Sequence, residues 1–130
     1  MTLEIDGTIN TPGVHFSCGK ISISGRSILA DSTLFYRPLC DLLEDYARRN
    51  GKFTQIDLSF EYLNCSSTRC IAAMLRKLEK VYKGGNIFVI NWYYPGDDES
   101  MREMGTIMKS LTKIPFNVIE TSNSKQPVHN

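Results

Sequence analysis

The four residues Asn64-Cys65-Ser66-Ser67 set an amide, a thiol and two hydroxyls side by side. They fall where a strand-like run, Ile56 to Leu63, gives way to a helical run, Ile71 to Tyr82. A helix start carries unpaired N–H groups and a partial positive charge. It holds a capping oxygen or an added phosphate equally well. Two readings therefore stand side by side: Ser66 or Asn64 is simply the N-cap, or Ser66 or Ser67 accepts a phosphate. Cys65 is a candidate reactive thiol at the same place. No His or Lys adjoins it, Arg69 is the only nearby cation, and a catalytic thiol is disfavoured.

Nothing else in the chain assembles a reaction centre. The two histidines, His15 and His129, lie far from the hydroxyls, and no acid–base pair is evident, which points away from an enzyme. Cys18, Cys40, Cys65 and Cys70 form no Cys-x-x-Cys pair, so no metal site is expected. Cys40 and Cys70 fall in helical patterns and read as small buried hydrophobes. No Gly-x-Gly-x-x-Gly or Walker-type Gly-Lys-Ser is present, and no nucleotide or other cofactor is expected. Asp97-Asp98-Glu99 reads as a helix start rather than a cation site. Trp92-Tyr93-Tyr94, the densest aromatic group, is either a partner-binding hot spot or a strand end. One of the three is expected in the core and at least one exposed.

These residues need elements to hold them. Gly13–Ser17 and Lys20–Gly25 read as two short strands around Cys18-Gly19. Asp31 or Ser32 caps a first helix with apolar positions Leu34, Phe35, Leu39, Leu42, Leu43 and Tyr46. Pro38 should bend it or begin its regular part, and Gly51 should end it. Phe53–Leu63 is the central strand. The next helix carries the stripe Ile71, Met74, Leu75, Leu78 and Tyr82, and ends at Gly84-Gly85. Asn86–Tyr93 is a third strong strand, broken at Pro95-Gly96. A helix from Asp97 carries Met101, Met104, Ile107, Met108 and Leu111, and a short strand Phe116–Ile119 follows. The alternation predicts an α/β fold, one mixed sheet with helices packed on it.

The chain has 130 residues, 42% hydrophobic, with fifteen basic and fourteen acidic side chains. That length suits one domain, residues 1–120, with 121–130 as a polar, frayed tail. A net charge of +1 gives no general pull toward nucleic acid or anionic membrane. Arg48-Arg49, Arg76-Lys77, Lys80 and Lys83 read as exposed helix faces. No apolar run reaches the roughly 20 residues of a membrane-spanning helix, and no signal-peptide core opens the chain; a cytoplasmic location is expected.

The order β-β-α-β-α-β-α-β, with hydroxyls at the second helix start, is that of the anti-sigma-factor-antagonist (STAS-like, SpoIIAA-like) fold. Ser24-Gly25-Arg26-Ser27, Phe35-Tyr36-Arg37-Pro38-Leu39, Tyr62-Leu63-Asn64-Cys65-Ser66-Ser67, Asn91-Trp92-Tyr93-Tyr94 and Ile114-Pro115-Phe116 resemble, in order, signatures of the SiaC-type regulatory phosphoprotein family. The resemblance runs from about Leu3 to Glu120. It implies a non-catalytic bacterial phosphoswitch. A GHKL-type Ser/Thr kinase would phosphorylate an Asn-Thr-Ser-Ser motif and a PP2C-type phosphatase would reverse it. The unphosphorylated form would engage an effector such as a diguanylate cyclase, and so act on cyclic di-GMP and biofilm formation.

Here the family's threonine position is Cys65, and a thiol is no normal kinase substrate. Ser66 then becomes the phosphoacceptor, or the switch is lost and a constitutive binder remains, or thiol oxidation replaces phosphate; the first is preferred. Asn64, Cys65, Ser66, Ser67, Tyr93 and Tyr94 are the expected partner-binding residues. Arg26 belongs to the resemblance without an assigned mechanism. The reading from another class is a small-ligand-binding or thiol-based sensor domain using Cys65 and the aromatic loop.

Overall fold

The structure, a computed structural model, describes residues 3–17, 19–50, 53–83 and 87–122. Cys18, the helix stops at Gly51 and Gly84-Gly85, Asn86 and residues 123–130 with His129 lie outside the described residues. Six strands and three helices follow in the order β1 (Leu3–Ile5), β2 (Gly13–Ser17), β3 (Lys20–Ser27), α1 (Ser32–Asn50), β4 (Phe53–Leu63), α2 (Cys65–Lys83), β5 (Ile87–Pro95), α3 (Glu99–Ser110) and β6 (Phe116–Thr121). The strand at Leu3–Ile5 was not expected: three residues are too few to carry a period. It pairs antiparallel with β2. β6 continues through Thr121, one residue past the expected domain end.

The sheet order is β1-β2-β3-β4-β5-β6. β1 to β3 pair antiparallel, and β3 to β6 pair parallel. The mixed sheet of a STAS-like domain is therefore present. Each parallel step carries one helix in its crossover and advances one place in the same direction. Right-handed crossovers then put all three helices on one face. Burial agrees: Thr54, Ile56, Leu58 and Phe60 of β4 are buried, whereas Phe53, Gln55, Asp57 and Ser59 between them are more open. The uncovered face is tied by a polar ladder. Asn117 donates to Asn91 (3.0 Å), Asn91 to Asp57 (3.1 Å), and Gln55 to both Asp57 oxygens, with Lys20 Nζ 3.5 Å away.

The helix stripes sit one step away from some expected positions. On α1 the core side is Tyr36, Leu39, Cys40, Leu43, Tyr46 and Ala47. Leu34 and Leu42 are exposed, at 78% and 41%. An apolar residue on either side of a helical face fits the spacing, and packing selects one of them. On α2, Val81 and Ala72 join Ile71, Met74, Leu75 and Leu78, while Tyr82 is only partly covered. On α3, Met101 and Met108 are buried but Ile107 and Leu111 face out. Gly105 takes the inward place under Trp92: an added Cβ would lie 2.5 Å from its ring. Pro38 is inside α1, not at its start.

Two local devices set the C-terminal edge of the sheet. The register between β3 and β4 shifts at Gly25/Arg26, so β4 has one extra residue there. A bulge of this kind re-aims the side chains beyond it. Leu63 beyond it packs against the core, while Tyr62 is turned out beside Arg26. Arg26 itself donates to the Ile9 carbonyl (3.1 Å), pairs with Glu61 (3.5 Å) and lies 5.8 Å over the Tyr62 ring. It pins the β1–β2 loop to the strand end.

Candidate functional site

α2 begins where β4 leaves the sheet, and Asn64 is the hinge residue. Its side-chain oxygen accepts from Ser67 N (2.9 Å), and its carbonyl accepts from Thr68 N and Thr68 Oγ1. Asn64 is thus the N-cap, placing Cys65, Ser66 and Ser67 at the first three helical positions. Its amide donates to the Leu29 carbonyl (2.8 Å) and its backbone N–H to the Ser27 carbonyl (3.0 Å). The cap therefore also fixes the β3–α1 loop.

Consecutive helical positions turn by roughly 100°, so the three side chains part company. Cys65 is exposed. Ser66 is half-buried and leans on α1: its hydroxyl accepts from the Ser32 N–H at 3.2 Å. Asp31 takes the next N–H, from Thr33, at 3.1 Å. The start of α1 is thus capped partly from α2. Ser67 points inward and is fully buried. Its hydroxyl lies 2.7 Å from Ser27 Oγ, 3.1 Å from the Ser27 carbonyl and 3.0 Å from Ser32 Oγ. Ser27 Oγ lies 2.6 Å from the Tyr36 hydroxyl. Burial, partly opposed by the Ser27 hydrogen bond, pushes the Tyr36 hydroxyl up to about 12, so it stays protonated.

The expected surface group is divided by this geometry. Ser67 leaves it, because its side chain is sealed inside. Asn64 is committed to capping and loop bridging. Trp92 is buried, with its indole N–H donating to the Met101 carbonyl (3.0 Å). Tyr94 and Tyr93 are half-buried at the end of β5, the same sheet edge as Asn64. By strand alternation Tyr94 shares the helix-bearing side with Trp92, and Tyr93 is on the uncovered side opposite Ile119. Tyr93 is therefore not brought onto the same face as Cys65 and Ser66. Of the expected residues, Cys65 and Ser66 lie together at one accessible helix start.

Reading the sequence for chemistry missed the buried relay of Ser27, Ser32, Ser67 and Tyr36. Its signal was present: Ser27 and Tyr36 stand inside two of the signature stretches quoted above. Among the described residues every buried side-chain nitrogen and oxygen has a hydrogen-bond partner. No group of three or more His, Cys, Asp or Glu is placed to hold a metal among them. No described helix is long and apolar enough to cross a membrane. Cys40 is buried as expected, and burial pushes its thiol up, whereas Cys70 is only half-buried.

A STAS-like sheet with a hydroxyl cluster at the second helix start is the architecture of bacterial regulatory phosphoprotein domains. The SiaC family of regulatory phosphoproteins matches residues 5–121, and the chain belongs to that family. A protein of Pseudomonas aeruginosa strain UCBPP-PA14, known only as uncharacterized, is 27% identical over 116 residues, covering 88% of this chain and 92% of its own. The chain is also similar to SiaC of P. aeruginosa, solved in complex with the diguanylate cyclase SiaD that it activates. That match has 26% identity and a TM-score of 0.84 and covers 92% of this chain and 99% of the other. Apo-SiaC from the same organism gives 26% identity and a TM-score of 0.82, with 92% and 98% covered.

Proposed function

We propose that this chain is a non-catalytic, cytoplasmic signalling protein that binds an effector through the surface at the start of α2. In this reading the effector is a diguanylate cyclase, and phosphate on Ser66 releases it. A GHKL-type kinase adds the phosphate and a PP2C-type phosphatase removes it. The observation that carries the reading is the division of labour at the helix start. Ser67 is sealed in the core and the Thr68 hydroxyl is turned back onto the Asn64 carbonyl. Ser66 is the accessible hydroxyl of the motif. Support for the effector class comes from the related SiaC, which was solved bound to a cyclase.

The physics of release is local. Phosphate adds close to two negative charges at pH 7. Ser66 lies between the starts of α1 and α2, where the positive ends of the helix dipoles favour an anion. The fold would therefore carry the modification, while an interface built against Ser66 would meet an uncompensated charge. A second reading has its own support: Cys65 stands at the family's threonine position and is the exposed side chain there. In that reading the chain is a permanently unphosphorylated binder.

One experiment separates the two. Wild type, Ser66→Ala and Cys65→Thr are incubated with the kinase that serves this chain, and the phosphate is mapped by mass spectrometry. The Ser66 switch predicts phosphate on wild type, none on Ser66→Ala, and faster labelling of Cys65→Thr at the restored hydroxyl. Labelling of wild type that survives Ser66→Ala refutes it, and no labelling of wild type supports the constitutive binder.

A further inference from the structure

α1 and α2 lie side by side on the sheet, and a groove of about 460 Å³ runs between them with Ser66 on its wall. Cys40, Cys70 and Met74 give it an apolar lining, and Arg37 and Arg69 stand along it, one from each helix. Both arginines are exposed. Four other arginines are matched by carboxylates: Arg26 with Glu61, Arg48 with Glu44, Arg49 with Asp45, Arg102 with Glu99. Arg76 on α2 has no such match among the described residues, but it does not line the groove. Lys77, farther along the groove, is matched by Asp41 at 3.3 Å. Among the described residues no carboxylate pairs with Arg37 or Arg69. The remaining acid in the groove, Asp31, is already accepting from the start of α1.

Two free guanidinium forks over an apolar floor have a definite complement. An unpaired arginine fork is shaped for a carboxylate, and desolvating that contact makes it strong. The volume falls within the roughly 300–1,000 Å³ of pockets that enclose ligands. Because every described buried polar side-chain atom is already satisfied, no buried donor is left over to orient a small polar molecule. We propose that the groove is the docking site for an acidic amphipathic segment of the partner protein. Its carboxylates engage Arg37 and Arg69, and an apolar side chain enters against Cys40, Cys70 and Met74. The proposal rests on the Ser66 reading above for its regulation. A phosphate on Ser66 would stand in the same groove, draw the two arginines to itself and repel the partner's carboxylates.

The test uses the full chain, labelled with nitrogen-15, and a short synthetic peptide with leucines at helical spacing among glutamates. The expected result is amide shifts confined to residues 36–41 and 66–77. Arg37→Ala and Arg69→Ala should each weaken binding about tenfold, and more in the double variant, as loss of a charge-assisted contact predicts. A peptide with glutamine for every glutamate should not bind. Shifts elsewhere, no shifts, or equal binding by the arginine variants overturn the proposal. So does a response to inorganic phosphate alone with none to the peptide, which would make this a small-anion site. The chain phosphorylated at Ser66 is the separate arm. Undiminished peptide binding there would sink the Ser66 switch and leave the groove standing. Phosphate-sensitive binding that ignores both arginines would do the reverse.

Discussion

Ser66 and Ser67 are adjacent and chemically identical, yet the structure gives them opposite surroundings, which makes Ser67→Ala a sharp test. The Ser67 hydroxyl is fully buried and meets Ser27 Oγ at 2.7 Å, the Ser27 carbonyl at 3.1 Å and Ser32 Oγ at 3.0 Å. After truncation the Ser27 carbonyl keeps its bond from Asn64 N, and Ser27 Oγ keeps Tyr36. Ser32 Oγ, itself buried, keeps no side-chain partner among those described. A net hydrogen bond contributes about 1 kcal/mol, and a stranded buried hydroxyl costs about 1–3 kcal/mol. Ser67→Ala should therefore destabilise by about 2–3 kcal/mol. Ser66→Ala loses one acceptor at a half-open site where water can replace it, so about 0.5–1 kcal/mol is expected. Trp92 is the only tryptophan and is fully buried, so its fluorescence reports urea unfolding directly. Folded Ser67→Ala should bind effector like wild type. The reasoning fails if Ser67→Ala is no less stable than Ser66→Ala, or if it folds normally and loses its partner.

Gly105→Ala should cost about 2–3 kcal/mol or more and shift Trp92 emission, because its Cβ would lie 2.5 Å from Trp92 Cδ1 and the enclosed indole is held by Met101. Tyr36 carries a folded-state pKa raised to about 12 from 10.0, so its contribution is whole below pH 10 and is lost as pH climbs toward 12. Across that window wild type should lose about 2–3 kcal/mol more than Tyr36→Phe, as measured by urea midpoints at each pH. Arg26→Ala should cost under about 1 kcal/mol, since its contacts are at the surface, but amide exchange in the β1–β2 loop around Ile9 should speed up.

The strong periods were legible in the chain. Phe53 to Phe60 alternate open and buried residues up to the bulge, and the change to a helical period after Leu63 located the α2 start. What escaped was decided by packing. Leu34 and Tyr36 both suit α1, and only the neighbouring hydroxyls of Ser27 and Ser67 explain why Tyr36 turns inward. The β4 bulge depends on pairing with β3, so no local pattern could reveal that Tyr62 faces out. Ser67 looked like Ser66 because the two differ only by a helical turn of roughly 100°, and Asn64 as cap sets which one points inward.

That same rotation bears on the thiol. Cys65 occupies the first position of α2, exposed, where the fold asks nothing of the side chain. A hydroxyl-to-thiol change there leaves the cap, the relay and the α1 contact untouched. The scaffold around the helix start is therefore independent of the residue at position 65. Moving the acceptor from Cys65 to Ser66 would swing the phosphate from solvent toward α1, where the Ser32 N–H already points at the oxygen. It would also bring the charge to the groove carrying Arg37 and Arg69. On the outer position a phosphate acts only on what the partner presents. On Ser66 it would act first on this chain's own cations, so a one-residue shift would change release from direct repulsion to competition for two arginines.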